Sequence, residues 1–71
     1  EGGAAYREAV RSGREWVKFD SADVGAHYWL GLSLQRIGEL KEAVAELEAA
    51  QKLSPDSPEI RQVLKELRHG K

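Results

Sequence analysis

Few residues in this sequence have the types and the spacing that chemistry requires. There is no cysteine, so the chain offers neither a thiolate ligand nor a cysteine nucleophile. Asp23 precedes His27 by one helical turn, and the two side chains could share a metal ion. Two ligands do not make a zinc site, however, and no third ligand is spaced to help. We therefore expect no metal site, with His27 as an interface residue and His69 as an exposed residue near a helix end.

Other catalytic arrangements are also missing from the sequence. No serine lies in the G-x-S-x-G context of a hydrolase nucleophile. Gly2 and Gly3 follow no strand that would make them a phosphate-binding loop. Asp20 and Asp23 lack the further oxygen ligands of a calcium-binding loop. The sequence therefore predicts no catalytic residue and no cofactor, and we do not expect an enzyme.

The charge balance argues against nucleic acid and membrane partners. The 71 residues carry 11 basic and 12 acidic side chains, so no strong attraction to phosphates or anionic lipid is expected. The longest apolar run, residues 28–32, is far shorter than the ~18 residues that span a bilayer. One edge of the first segment is basic and consists of Arg7, Arg11, Arg14 and Lys18. Glu8 and Glu15 lie among these residues and reduce its net positive charge. A hydrophobic content of 41% indicates a small, soluble, globular domain, and the start at Glu1 favours a segment of a longer protein.

Breaks in the sequence divide the chain into four segments that are long enough for helices. The breaks are residues 20–23, Gly38 and the Ser-Pro-Asp-Ser-Pro run at 54–58. The segments between them are rich in helix formers, and the period-two alternation of a strand is absent. Ser21 or Asp23 would cap the second helix, and Ser57 the fourth. We predict an all-α fold with helices at about 4–19, 22–37 and 39–53 and a fourth helix from Pro58.

The apolar residues of each segment indicate how the helices pack. The second helix is apolar nearly all round, so it should lie between two neighbours. The fourth is apolar on one face alone, as expected of a helix that covers the end of a bundle. The third is amphipathic and directs Glu42, Glu46 and Glu48 toward solvent. Its inward residues are Leu40, Ala43, Val44, Leu47 and Ala50.

Residues 24–57 carry a spaced pattern of small and apolar residues. The pattern consists of Leu30, Gly31, Leu34, Ala43, Leu47, Ala50 and Pro55. In type and spacing it resembles the tetratricopeptide repeat, W-x2-L-G-x2-Y…A-x3-F…A…P. One departure is that His27 occupies the tryptophan position, and the indole of Trp29 comes two residues later. The resemblance implies two antiparallel helices that cross closely at the small residues Gly31 and Ala43.

The resemblance extends to both sides of this unit at a separation of 34 residues. Upstream, five residues of the first segment each lie 34 positions before a similar residue of the third segment. In order they are Tyr6, Ala9, Trp16, Phe19 and Asp20, which correspond to Leu40, Ala43, Ala50, Leu53 and Ser54. Downstream, Pro58 and Leu64 correspond to Val24 and Leu30, although Lys65 replaces the glycine. The resemblance therefore implies one domain over residues 1–71, a helix-turn-helix fragment of an α-solenoid. Its parts are half of a preceding repeat (1–23), a complete repeat (24–57) and a C-terminal capping helix (58–71).

In the tetratricopeptide repeat family, the first helices of successive repeats line a concave groove that binds peptides. The resemblance therefore implies a non-catalytic module that binds a peptide or a partner protein. The groove candidates in this sequence are Tyr28, Trp29, Leu32, Gln35, Arg36 and Gln62. Their apolar character suits an apolar peptide with an acidic group for Arg36. The family's carboxylate clamp has Lys and Asn where Tyr28 and Leu32 stand, so acidic chaperone tails are not the expected ligand.

Two alternatives remain open at this point. Tyr28 and Trp29 could pack on the first helix, against Trp16 or Phe19, and leave no groove. The chain could also be a self-association module, because no preceding helix is present to cover one face of the first helix. Two copies could then cover each other in a homodimer, and the sequence allows either a monomer or this dimer. The uncovered face would consist of Tyr6, Val10 and Val17.

Overall fold

Four α-helices form the protein, as the computed structural model shows for residues 2–69, the part of the chain that it describes. They are α1 (Gly2–Phe19), α2 (Val24–Arg36), α3 (Leu40–Leu53) and α4 (Pro58–His69). No strand occurs within residues 2–69, so the all-α prediction is confirmed. No helix in this range is both long and apolar enough to cross a membrane.

The ends of the helices lie within two residues of their predicted positions, and local hydrogen bonds explain the differences. The side chain of Asp23 accepts from the backbone N–H of Gly25 at 2.8 Å and of Ala26 at 3.3 Å. Asp23 is therefore the N-cap, and α2 begins at Val24 rather than at residue 22. At the start of α4, Ser57 Oγ accepts from the backbone N–H of Ile60 at 3.4 Å, as the predicted cap should.

The turn between α2 and α3 depends on a glycine. Gly38 has a φ of +86°, a conformation that L side chains rarely adopt. In this geometry the N–H of Gly38 donates to the carbonyl of Gln35 at 3.1 Å, and the N–H of Glu39 donates to Leu34 at 2.9 Å. These two bonds satisfy carbonyls that the end of α2 would otherwise leave without partners. The turn thereby directs α3 back along α2.

Helix α2 packs against both α1 and α3, and α4 packs against α3. The prediction that α2 lies between two neighbours is therefore confirmed. One buried cluster joins α1, α2 and α3, and it consists of Val10, Leu30, Leu34 and Ala43. A second joins α3 and α4, and it consists of Leu47, Ala50, Ile60 and Leu64. Leu40 was expected to point inward, but at the first turn of α3 it remains 44% exposed.

Small residues allow the helices to approach closely. A Cβ at Gly31 would lie 2.7 Å from Cγ of Leu47 and 3.3 Å from the carbonyl oxygen of Ala43. A Cβ at Gly13 would lie 3.1 Å from Cβ of Leu30. Both values are below ordinary van der Waals separation, so α2 has a glycine contact with each neighbour. Ala43 is fully buried at the crossing of α2 and α3, where the sequence pattern predicts a small residue.

His27 joins the loop before α2 to α3. His27 as a residue is 8% exposed, its Nε2–H donates to the backbone oxygen of Ser21 at 2.8 Å, and its Nδ1 lies 2.8 Å from Oε1 of Glu46. Both partners are acceptors, so the imidazolium, with two N–H groups, satisfies both bonds. Burial by itself lowers the pKa of His27, but these hydrogen bonds and the charges of Glu46 and Asp23 outweigh it and raise the pKa above 6.5. The sequence predicted that Glu46 points into solvent. This prediction is wrong, because the carboxylate of Glu46 pairs with His27.

The other two glutamates of α3 that were predicted to be exposed form ion pairs with neighbouring helices. Arg14 on α1 donates to Oε2 of Glu42 at 2.6 Å, and Arg68 on α4 donates to Oε2 of Glu48 at the same distance. All four side chains are about half exposed, so solvent screens both pairs and each contributes little to stability.

Candidate functional site

The outward face of α2 carries five of the predicted groove residues. Tyr28, Leu32, Gln35 and Arg36 are spaced at i, i+4, i+7 and i+8, so they share one face of the helix, and Trp29 borders it. Arg36 is exposed and Trp29 is 49% exposed, while the other three are half-buried. This face points away from the core side of α2, and it separates a depression toward α1 from a depression toward α4.

The depression between α1 and α2 has a volume of about 160 Å³. Its lining consists of Tyr6, Trp29, Leu32, Ser33 and Arg36. The guanidinium carbon of Arg36 lies 5.8 Å from the ring centroid of Tyr6, within cation–π range. This contact holds the cation at the edge of an apolar surface and leaves its N–H groups able to donate to a carboxylate.

The depression between α2 and α4 is larger, at about 260 Å³. Its lining consists of Val24, Gly25, Tyr28, Ser57, Glu59 and Ile60. Tyr28 packs here against the buried cluster of α3 and α4. Tyr28 thus packs on the side of α2 that faces α3 and α4, whereas the alternative placed it against Trp16 or Phe19 of α1. Phe19 is itself 91% exposed.

Gln62 lies apart from the other groove candidates. It is exposed on α4, and its side chain donates to Oε2 of Glu66 at 3.1 Å. It lines a separate shallow depression with Pro58, Arg61 and Lys65. The buried residues Ile60 and Leu64 occupy the opposite side of the helix, so Gln62 faces away from α3. The structure does not bring Gln62 to the face of α2.

The face of α1 that was predicted to be uncovered is in fact packed against α2. Val10 is 6% exposed within the cluster that Leu30 and Leu34 complete, and Val17 packs against the same cluster. Tyr6 is 38% exposed and lines the depression beside Arg36. Val10 is therefore not available to a dimer, because α2 already covers it, whereas self-association through Tyr6 and the partly buried Val17 stays a prediction.

A larger depression lies elsewhere, between α1 and the turn that joins α2 to α3. Its volume is about 460 Å³, and its lining consists of Arg7, Val10, Arg11, Arg14, Glu15, Ile37, Glu39 and Glu42. The charges in it are mixed, and Arg14 is already paired with Glu42. Its size alone therefore does not make it the functional site, because its lining has three arginines and three glutamates and favours neither an anionic nor a cationic ligand.

The histidines do not form a metal site with their surroundings. Both ring nitrogens of His27 have hydrogen-bond partners, and His69 is exposed near the end of α4. Across the part of the chain that the structure describes, no group of three His, Cys, Asp or Glu side chains could hold a metal ion.

Seven residues that line the two depressions were not predicted as groove residues, and three of them are large and apolar or aromatic. Val24 and Ile60 line the depression toward α4, and Tyr6 contacts Arg36 in the depression toward α1. Val24 precedes Tyr28 by four residues, so the helical period could have identified it. Tyr6 and Ile60 belong to other helices, and no spacing within the sequence reveals which residues of α2 they approach.

Comparison with known proteins identifies the family. The family model for the tetratricopeptide repeat matches residues 24–67, which is more than half of the chain. The chain belongs to the tetratricopeptide repeat family. The match begins at the first residue of α2 and includes all of α3 and most of α4. No match was found among curated proteins or among solved structures.

Tetratricopeptide repeats generally mediate protein–protein interactions, and they generally serve as interaction modules rather than as enzymes. The structure shows the close crossing that the family pattern requires, at Gly31 and Ala43 between the two helices of the repeat. Where the family has tryptophan, the repeat has His27, whose ring pairs with the half-buried Glu46. The division of the chain at residues 23 and 57 stays a prediction.

Proposed function

We propose that this chain is a non-catalytic module that binds a peptide segment of a partner protein along the outward face of α2. The observation that supports this proposal is the pair of depressions on either side of that face. Each depression has apolar or aromatic walls, and each is shallow and open enough for a side chain of an extended peptide. Together with the general role of the family, this geometry favours a peptide over a small molecule.

The chemistry of the face favours a particular kind of peptide. Trp29 and Leu32 beside α1, and Tyr28 beside α4, offer apolar surface to two side chains of the ligand. Arg36 is the one cation among the lining residues of these two depressions, and its contact with Tyr6 orients it. A peptide with apolar side chains on both sides of an acidic residue fits this arrangement, because a carboxylate can accept two N–H groups from one guanidinium.

Neither burial nor solvation alone explains the composition of this face. Trp29 is 49% exposed and Leu32 is half-buried, so their apolar surface gains little from the core of this chain. A face meant only for water would carry more charge than Arg36 provides. Aromatic and arginine side chains are the types that contribute most to binding energy at protein interfaces.

The proposal can be tested with a displayed library of random 12-residue peptides, selected against the immobilised chain. For each selected peptide, fluorescence anisotropy gives the dissociation constant for the native chain and for the variants Arg36→Ala and Tyr28→Ala. We expect each variant to bind about fivefold more weakly or worse, which is about 1 kcal/mol. Arg61→Ala is the matched control, because Arg61 is an exposed arginine on the outer side of α4.

Unfolding measurements separate lost binding from lost structure. Arg36→Ala should leave the free energy of unfolding nearly unchanged, because its side chain is exposed. Chemical-shift mapping with a selected peptide should then give its largest changes on α2. The proposal is wrong if the changes instead fall on the outer side of α3 around Glu42 and Glu48, or if Arg61→Ala weakens binding as much as Arg36→Ala.

A further inference from the structure

One face of α1 carries no charge and is largely uncovered, although the indole N–H of Trp16 donates to Oδ2 of the α2 N-cap Asp23 at 3.2 Å. Its residues follow the spacing i, i+4, i+7, i+11 and i+14, and they are Ala5, Ala9, Ser12, Trp16 and Phe19. We call this face the α1 strip. Phe19 is 91% exposed and Trp16 is 42% exposed, and the other three residues are exposed or half-buried. Four apolar residues and the small Ser12 form a continuous uncharged stripe along the helix.

The opposite end of the molecule is different. The exposed residues of α4 are mostly charged, and they include Arg61, Gln62, Lys65, Glu66 and Arg68. Helix α4 therefore has the polar outer surface expected of a helix that ends a stack. The strongly basic residues of α1 lie on other sides of that helix, around the mixed-charge depression. Of the two ends, the α1 end presents the apolar surface of a docking site.

We propose that the α1 strip binds the same strip of a second copy of this chain, in an antiparallel pair with its two-fold axis near Ser12. Such an interface must be self-complementary. A residue of one copy meets the residue of the second copy that lies equally far from the axis in the opposite direction along the sequence. Ala5 and Phe19 are both seven residues from Ser12, so both lie about 10.5 Å from the axis along the helix. The pairing places the large ring of Phe19 against the small Ala5 of the second copy.

The inner positions of the strip follow the same size rule. Trp16 is four residues after Ser12, and Ala9 is three residues before it. The indole of one copy therefore lies over the small Ala9 of the other, and Ser12, which is also small, lies at the axis where the two backbones come nearest. Every bulky residue of the strip has a small residue opposite, which allows two helices to approach closely. A partner with an unrelated helix would have no reason to match this order of sizes.

The size and the border of the strip define how the dimer should behave. The strip is about 21 Å long, so its buried area is below that of a typical stable interface, and we expect reversible association. Glu8 and Glu15 border the strip on its solvent side, and the two-fold pairing brings Glu8 of one copy near Glu15 of the other. Added salt screens these like charges, so we expect the dimer to become stronger as the salt concentration rises.

The test is sedimentation equilibrium of the full chain over a range of concentrations up to about 1 mM. We expect the average mass to rise from 7.9 kDa toward twice that value. Ser12→Arg places two like charges at the axis and should weaken the association at least tenfold. Gln62→Arg is the matched control, since it adds the same charge to the polar end, and it should leave the association unchanged. Circular dichroism of both variants checks that they fold.

A cysteine at the axis provides a second test of the geometry. The chain has no cysteine of its own, so Ser12→Cys carries one thiol, which meets the thiol of the second copy across the axis. Under oxidised glutathione it should form a disulfide-linked dimer at least tenfold faster than Gln62→Cys. The proposal is overturned if the native chain keeps a mass of 7.9 kDa at every concentration, if Ser12→Arg still associates, or if the two cysteine variants cross-link at equal rates. Peptide binding at Arg36 lies on another face, so the two proposals can fail separately.

Discussion

Replacement of Gly31 by alanine is the most direct test of the helix crossing that defines the repeat. The new Cβ would lie 2.7 Å from Cγ and 3.0 Å from Cδ2 of Leu47, and 3.3 Å from the carbonyl oxygen of Ala43. Cγ is bonded directly to the Cβ of Leu47, so it moves only if the side chain changes rotamer or the helices separate. Both Leu47 and Ala43 are fully buried, which leaves neither of them free space to move into.

Two effects of opposite sign determine the magnitude. Alanine in a helix interior is more favourable than glycine by about 1 kcal/mol. Insertion of an extra methyl group into a packed core costs about 1–3 kcal/mol, and the 2.7 Å approach to Leu47 indicates the upper part of that range. We therefore expect Gly31→Ala to lower the free energy of unfolding by about 1–2 kcal/mol. For a domain of this size, each 1 kcal/mol lowers Tm by roughly 4–8 °C.

The assay is urea unfolding followed by circular dichroism at constant pH, with the denaturant slope compared between variants. Ala45→Gly is the control, because Ala45 is exposed in the interior of α3 and reports the helix propensity term without a packing term. It should destabilise the chain by about 1 kcal/mol. If Gly31→Ala instead stabilises the chain by about 1 kcal/mol, the variant gains helix propensity without any packing cost. In that case α2 and α3 do not cross as closely as described.

The remaining predictions concern the turn, the ion pair of His27 with Glu46, and the core. Gly38→Ala should destabilise the chain by about 1 kcal/mol or more through its φ of +86°, although no atom lies within 4 Å of the added methyl group, and urea unfolding measures this. Because the folded pKa of His27 is raised above 6.5, the ion pair with Glu46 should stabilise the chain fully below that pH and be lost as the pH rises through the raised pKa. Thermal unfolding between pH 5 and pH 9 should show this decline, and His27→Gln should abolish it. Ala43→Leu should cost about 1–3 kcal/mol by overpacking, and an unchanged urea midpoint would contradict the pairing of α2 with α3. Leu34→Ala should cost about 2–5 kcal/mol in the same assay, because Leu34 is fully buried.

Interactions between near neighbours in sequence account for what could be predicted about the fold. The four helices follow from helix propensity and from breaks at Gly38 and the two prolines, because helical hydrogen bonds join residues only four positions apart. The choice between Ser21 and Asp23 as the cap of α2 needed the structure, since both residues could have reached the free N–H groups. The small residues Gly31 and Ala43 were recognisable because a repeat family keeps their spacing, and the structure places both at the crossing of α2 and α3.

The candidate site was predictable as a face but not as a set of depressions. The helical period alone places Tyr28, Leu32 and Arg36 on one side of α2. It does not show that Tyr28 packs toward α4 or that Arg36 contacts Tyr6 on α1, because these contacts depend on where neighbouring helices cross α2. The same limit explains why Gln62 was assigned to this face although it lies on the far side of α4.

The sequence by itself determined the number of helices, their approximate ends and the family to which the repeat belongs. These features depend on hydrogen bonds between residues four positions apart and on the spacing of small residues, and both can be identified from the order of residues alone. Tertiary structure alone decided which faces are covered. Val10 is buried because α2 crosses α1 at Gly13, and Phe19 stays exposed because no helix reaches it. The ion pair of His27 with Glu46 joins residues 19 positions apart, and it forms because the crossing of α2 and α3 brings both side chains to one half-buried place. Burial and pairing depend on the angle and distance between packed helices, and those are properties of the whole set of contacts rather than of any one segment.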